Sequence, residues 1–252
     1  MNFERLFQGR RTEALSPVEL EVLNNAVSQV RECPAGTVVV KQGVPVHESL
    51  YLVSGTVSRN VVDASGRRHM MGLHFGGDFI DLHAFPLRVL DHNLAALTDV
   101  SLAVVPHERL TGILKDYPDL TGRLWFLTLL DAAMHRQWSF RLSSLSAPAR
   151  LAHFLCETNA RLIATGVSDG RRYPLSMTQA ELGEACGLTN VHVNRVLRGL
   201  REQRLCTFRS SVVEIHDLEG LAALGEFTPD YLYLDETINQ QALGLIRSPS
   251  YG

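Results

Sequence analysis

The chain has 252 residues, 45% of them hydrophobic and 20% charged, enough for two modest domains of ordinary globular composition. Its net charge of −3 gives no sign of a polyanionic partner. No apolar run reaches bilayer-spanning length, and MNFERLFQGRR lacks the apolar centre of a signal peptide, so no membrane partner is expected. Cys33, Cys156, Cys186 and Cys206 are scattered without a CxxC pair, which excludes a disulfide framework and fits a cytoplasmic location.

The first helix signal is Ser16-Pro17-Val18-Glu19, a cap, a proline suited to the first helical position, and a glutamate able to reach back to the cap. Leu20, Leu23, Val27 and Val30 then repeat at helical spacing until Pro34-Ala35-Gly36. From Thr37 to about Val105 the character changes to short β-rich runs: Thr37–Lys41, Ser49–Val53, Thr56–Val62, His69–Phe75 and Ser101–Val105. Glycines fall between or beside them, the pattern of an antiparallel sandwich or roll.

From Pro118 to Pro148 the only helix breaker is an early Gly122. Leu120, Leu124, Leu127, Asp131, Met134, Trp138, Arg141 and Leu145 follow the alternating four- and three-residue steps of a coiled-coil seam. Thirty residues of helix span roughly 45 Å, longer than one small domain covers, so this stripe predicts a dimer helix. Asp131 and Arg141 interrupt it. Residues 149–165 read as a further helix with Leu151, Phe154, Leu155 and Leu162 on its apolar face, closed by Gly166.

Charge is unevenly spread. Residues 148–216 hold nine Arg against six acids, whereas residues 217–252 hold one Arg against six acids. A basic block in an acidic chain suits a local DNA-binding module. Within it, Thr178-Gln179-Ala180-Glu181 forms a capping box, Gly187 supplies a sharp turn, and Thr189 caps a second helix. Val193, Val196, Leu197 and Leu200 make that helix's buried face, and Asn190, Val191, Asn194, Arg195, Arg198 and Arg201 lie opposite. Helix, glycine turn and a helix with a basic outward face make a helix-turn-helix. Arg bonds guanine bidentately, Asn adenine, and an aliphatic group meets the thymine methyl. Leu205–Phe208 and Val212–Ile215 alternate like strands around Arg209-Ser210-Ser211, a hairpin wing with an arginine near its tip. The alternative is an αα-hairpin with a solvated basic face.

TQAELGEACGLTNVHVNRVLRGLREQRL resembles the helix-turn-helix of the Crp-Fnr superfamily of bacterial regulators. PAGTVVVKQG and LYLVSGTVS resemble its β-roll strands, GGDFIDLHAF its phosphate-cassette region, and DLEGLAALGEFTPDYLYL the tail of an α-proteobacterial subgroup. The resemblance covers nearly the whole chain. It implies an α+β fold: an N-terminal double-stranded β-roll (a cyclic-nucleotide-binding-like jelly roll), a long dimerisation helix and a C-terminal winged helix-turn-helix. The expected division is 1–117 for the roll with its N-terminal helix, 118–147 for the dimer helix, 148–217 for the DNA-binding domain and 218–252 for an acidic extension. The expected function is transcriptional regulation by a homodimer on palindromic double-stranded DNA, with RNA polymerase as a further partner and no enzymatic activity. Thr178, Gln179, Thr189, Asn190, Val191, His192, Asn194, Arg195, Arg198 and Arg209 are the expected DNA-binding residues, Arg195 foremost among them. Leu120, Leu124, Leu127, Met134, Trp138 and Leu145 are the expected dimer contacts.

The departures from the pattern bear on the effector. Cyclic-nucleotide-binding members carry Gly-Glu after GDFI and a later Arg-Ser pair. This chain has Asp81-Leu82, and no Arg beside Asp91-His92, so a phosphate there would lack its arginine and face two carboxylates. Cyclic AMP is therefore not expected. Iron–sulfur members use an N-terminal cysteine cluster; here only Cys33 lies in that region, so no cluster is expected. His83 falls where the resemblance to haem-containing members places their haem histidine. Asp81, His83, His92, Asp131 and His135 thus form a candidate effector pocket for a small ligand, metal or haem, with hydrogen bonding inside a polar pocket as the alternative role. A metal- or haem-dependent sensor and a β-roll metalloenzyme are the competing functions; no His-x-His pair and no nucleophile grouping supports the enzyme.

Overall fold

The computed structural model describes residues 3–246. It divides into two compact units: one holds the residues up to Phe7 and Glu13–Ala132, the other Gln8–Thr12 and the chain from Ala133 onward.

The first unit opens with a 3-10 helix, Phe3–Phe7, followed by α1 (Pro17–Ala26). The capping box forms as the sequence predicts: the Glu19 amide donates to Ser16 Oγ at 3.3 Å, and the Ser16 amide donates to the Glu19 carboxylate at 2.8 Å. The helix stops at Ala26, short of the Val27 and Val30 spacing. The chain instead enters strand β1 (Gln29–Cys33), which pairs antiparallel with Val100–Val104. Val30, β-branched, gains more from that ladder than from another helical turn.

Six strands follow β1: β2 (Val38–Val40), β3 (Glu48–Ser54), β4 (Thr56–Val62), β5 (Arg68–Phe75), β6 (Asn93–Ala96) and β7 (Val100–Pro106), with a short helix α2 (Ala84–Leu87) between β5 and β6. They form two sheets, ordered β1-β7-β3 and β2-β6-β4-β5. Leu50, Leu52, Leu102 and Val104 share one core cluster with Val57 and Leu94, which come from the other sheet. Tyr51, Ala103 and Val105, one residue out of phase, fall in a second cluster with Phe3, Leu23, Leu110, Ile113 and Leu120. The period-two alternation of β3 and β7 therefore serves two cores, one inside the roll and one beneath its helical cover. That cover includes α3 (His107–Asp116) and the start of α4 (Pro118–Ser144).

The second unit contains α5 (Ala147–Ala164), β8 (Arg172–Pro174), α6 (Gln179–Cys186), α7 (Asn190–Glu202), β9 (Cys206–Arg209), β10 (Val212–Ile215), α8 (Leu218–Leu224), a 3-10 turn Asp230–Leu232 and α9 (Glu236–Ala242). Its sheet runs β8-β10-β9. Every residue of α5 from Leu151 to Ala164 is buried, including Glu157 and Arg161. An amphipathic reading of this helix is too modest. It packs against α6 and α7 and also against α8 and α9, and a helix covered all round is a central one.

The expected dimer stripe on α4 is taken up in large part by the chain's own cores, with Met134 left half-buried. Leu120 and Leu124 belong to the first unit's core, with Leu127 packed against it. In the second unit Trp138 sits edge-on to Phe154 at 6.3 Å, and Leu145 is buried. Arg141, which interrupts the stripe, is fully buried: its guanidinium lies 4.2 Å from the Trp138 ring and donates to the Ala185 carbonyl at 3.1 Å. These side chains are used within their own chain. A different stripe of α4 is exposed: Trp125, Leu129, Ala132, Arg136, Phe140 and Ser143, with Trp125 at 67% and Leu129 at 55%.

Candidate nucleic-acid interface

The reader is built from local signals. The Glu181 amide donates to Thr178 Oγ1 at 3.2 Å and the Glu181 carboxylate accepts the Thr178 amide at 2.7 Å, which fixes the start of α6. Gly187 ends the helix at φ 63°, ψ 38°, a left-handed position that a side chain would strain. Thr189 Oγ1 then accepts the His192 amide at 3.3 Å and starts α7. Val193, Val196 and Leu200 are buried beneath α7, and Leu197 is half-buried.

The opposite face carries Asn190, Val191, Asn194, Arg195, Arg198 and Arg201, all at least partly exposed. Val191 is 82% exposed, so this face offers an aliphatic group to an outside surface, as contact with a thymine methyl requires. Asn194 Nδ2 donates to the Asn190 carbonyl at 3.0 Å. Thr178 and Thr189 are exposed at their helix starts, while Gln179 and His192 are half-buried beside them.

β9 and β10 form the wing, with Arg209 opposite Val212. The two-residue tip, Ser210 and Ser211, has φ of 48° and 58°, the left-handed pair that a tight hairpin imposes. Arg209 is thereby held at the tip. Between α7 and β9 lies a groove of about 250 Å³ whose lining includes Gln179, Asn194, Arg198, Arg201 and Arg209 and no carboxylate. Three guanidinium groups around one groove form an anion seat, suited to phosphate oxygens. Arg201 was legible as an outward arginine, but its place in this groove follows only from the packing of α7 on the wing.

The candidate effector residues are only partly gathered. In the first unit Asp131, on α4, is paired with Arg59 of β4: Arg59 Nη1 donates to its two oxygens at 3.0 and 3.3 Å, and Arg59 is almost wholly buried. The sequence reading missed Arg59, which lies 72 positions away and carries no local signal. His83 Nδ1 is 4.0 Å from the same carboxylate, and the His83 and His92 rings are 5.4 Å apart. His92 Nδ1 meets Asp91 at 2.7 Å. Burial, reinforced by the charge of Arg59, pushes His83 down to about 4, so it is neutral near pH 7. His135 belongs to the second unit.

Neither a metal nor a haem fits this arrangement. Among the described residues no group of three or more His, Cys, Asp or Glu can hold a metal ion. His83 faces a carboxylate already paired with a guanidinium, which is not the apolar slot a haem needs. All four cysteines are free and buried, Cys33 in the first unit and the others in the second. Burial pushes the Cys186 and Cys206 thiols up to about 11 and about 12.

Asp81 is turned into the protein. It is completely buried, accepts the Leu50 amide through Oδ1 at 2.6 Å, and has no partner for Oδ2. Burial pushes its carboxyl up to about 7 from an ordinary 3.8, so the folded state holds the proton more tightly than the unfolded one. The stability from this group is complete below about pH 4 and is lost as pH rises through about 7. Asp81→Asn is expected to flatten that decline and to raise the denaturation midpoint above the parent's at ~pH 8. Urea titrations across this range check it; parallel curves for parent and variant would show that the carboxyl is not protonated in the fold.

Two domain models match the chain: a cyclic nucleotide-binding domain over residues 30–117 and a Crp-like helix-turn-helix domain over residues 149–224. The transcriptional activator protein anr of Pseudomonas aeruginosa is 26% identical over 84% of this chain and 86% of its own length. The fumarate and nitrate reduction regulatory protein of Salmonella typhimurium is 25% identical, covering 85% of each chain. Among solved structures, FixK2 from Bradyrhizobium japonicum superposes with a TM-score of 0.71 at 21% identity, over 78% of this chain and 96% of that one. A CRP/FNR-family transcriptional regulator from Thermus thermophilus does so with a TM-score of 0.60 at 23% identity, over 79% and 99%. The structural likenesses concern the fold. No described helix is long and apolar enough to cross a membrane.

Proposed function

Because the chain belongs to the Crp-Fnr family of transcriptional regulators, we propose that it acts in the cytoplasm as a homodimer reading a palindromic promoter site and contacting RNA polymerase there. The relatives it matches are named as regulators, and the matched reader model is a helix-turn-helix domain. One observation carries the reading: the outward face of α7 and the arginine-lined groove beside the wing place base-reading and phosphate-holding groups on one surface. The roll (1–117), dimer helix (118–147) and reader (148–217) are the proposed working parts, with 218–252 as an extension.

A mobility-shift assay on DNA upstream of the coding region tests this. The expected result is a salt-dependent specific complex. Arg209→Ala is expected to weaken all sequences alike and to reduce the salt slope by about 1. Absence of any complex across promoter fragments would end the proposal.

The effector, in this reading, acts through the Arg59–Asp131 pair, with His83 and His92 as further groups and Asp81 as an internal support, and His135 is a separate candidate on α4. Asp131 ties α4 to a roll strand by a short ion pair with Arg59, so a ligand favouring one state of that pair would shift the dimer helix. Asp131→Asn and His135→Ala are expected to alter promoter response. Two variants that fold and regulate like the parent would leave these residues with a structural role only.

A further inference from the structure

The acidic segment after the helix-turn-helix has a use in the fold. Residues 225–246 lie beyond the matched reader domain, yet Phe227, Leu232, Leu234 and Ala242 are buried in the second unit. A buried polar chain anchors the segment on α5: His153 contacts the Gly225 carbonyl at 3.0 Å and the Tyr231 hydroxyl at 3.2 Å, and Tyr231 donates to the Glu157 carboxylate at 2.6 Å.

What the segment then grips is the N-terminal arm. The Arg11 amide donates to the Tyr233 carbonyl at 2.8 Å, the Asp235 amide donates to the Gly9 carbonyl at 3.0 Å, and Arg10 and Leu234 form an antiparallel bridge. The arginine side chains add to it: Arg11 Nε donates to the Leu234 carbonyl at 2.7 Å, and Arg10 Nη1 donates to the Leu232 carbonyl. Gly9 has φ of +67°, and a Cβ there would lie 2.9 Å from Ala164 Cβ, so the arm fits only with glycine at that place.

The residues just before the arm are held elsewhere. Phe3, Leu6 and Phe7 are buried in the first unit's core, with the Phe3 and Tyr51 rings 4.4 Å apart. The chain consequently passes between the units at three places, after Phe7, after Thr12 and after Ala132. We propose that residues 8–12 and 225–246 form a clasp that makes the N-terminal arm a second mechanical link between roll and reader, alongside α4. Phe7 is held in the first unit's core and Gly9 in the second unit, with only the exposed Gln8 between them, so the arm has little slack to absorb an opening of either anchor. The clasp rests on the fold alone, whatever the reader binds.

Calorimetry and hydrogen exchange on the full-length protein test it. The parent is expected to melt in one transition with residues 8–12 protected. In Arg10→Ala/Arg11→Ala, exchange at 8–12 and 232–235 is expected to rise roughly tenfold and the melt to separate into two transitions. A second variant, with Gly-Ser-Gly-Ser inserted between Phe7 and Gln8, keeps every clasp contact and slackens only the tether. It should retain protection at 8–12 and still melt in two steps. A parent that already melts in two steps would overturn the link, as would an inserted variant that melts in one. Unprotected residues 8–12 in the parent would overturn the clasp itself.

Discussion

Leu129→Glu is expected to dissociate the proposed dimer and with it most of the proposed promoter affinity. Leu129 is 55% exposed on α4 and lies in a stripe with Trp125, Ala132, Arg136, Phe140 and Ser143, whose steps of four, three, four, four and three residues keep them near one face of the helix. Two copies related by a two-fold axis would bring the same stripe to itself. Losing one buried leucine from each copy removes about 2 kcal/mol per copy, or about 4 kcal/mol in all, a factor near a thousand in the dimer dissociation constant. Each introduced carboxylate adds a further desolvation cost. Sedimentation at micromolar concentration should show a dimeric parent and a monomeric variant. Leu124→Ala, in the first unit's own core, is the contrast: it should lower stability by about 2–5 kcal/mol without that selective loss of association. A variant at Leu129 that sediments like the parent would remove this face from the interface.

The second large effect is at Arg195. Its side chain is exposed on the first two turns of α7, ahead of the groove that gathers Arg198, Arg201 and Arg209. The N-terminal part of a recognition helix is the part that reaches base edges, and a bidentate contact to guanine is worth roughly 1–3 kcal/mol per site. Arg195→Ala is therefore expected to weaken specific binding by about that amount for each half-site and to relax preference at one base pair in each. Binding measured against a library of single-base variants checks both parts. If affinity falls equally on every sequence, Arg195 holds phosphate and the base-reading role passes to Asn190 or Val191.

Local chemistry was legible in the sequence, because caps and turns act within a few residues of their cause. The boxes at Ser16–Glu19 and Thr178–Glu181, the cap at Thr189 and the turn at Gly187 form where the residues imply. The strands Thr56–Val62 and Val212–Ile215 also stand as read, since alternation and punctuation mark them. The short strands β1, β6 and β8 escaped, because three to five residues hold too little pattern and their pairing comes from partners far along the chain. On α4 the sequence carried two interleaved apolar stripes and no means of choosing between them. The tertiary structure decided which one the chain's own cores consume, and the sequence then says what the leftover one is fit to meet. The pairing of Asp131 with Arg59 and the grip of residues 232–235 on Gly9–Arg11 bring together groups 72 and more than 220 positions apart. No local spacing encodes such contacts. They exist only once two sheets and a central helix have fixed where each backbone segment runs.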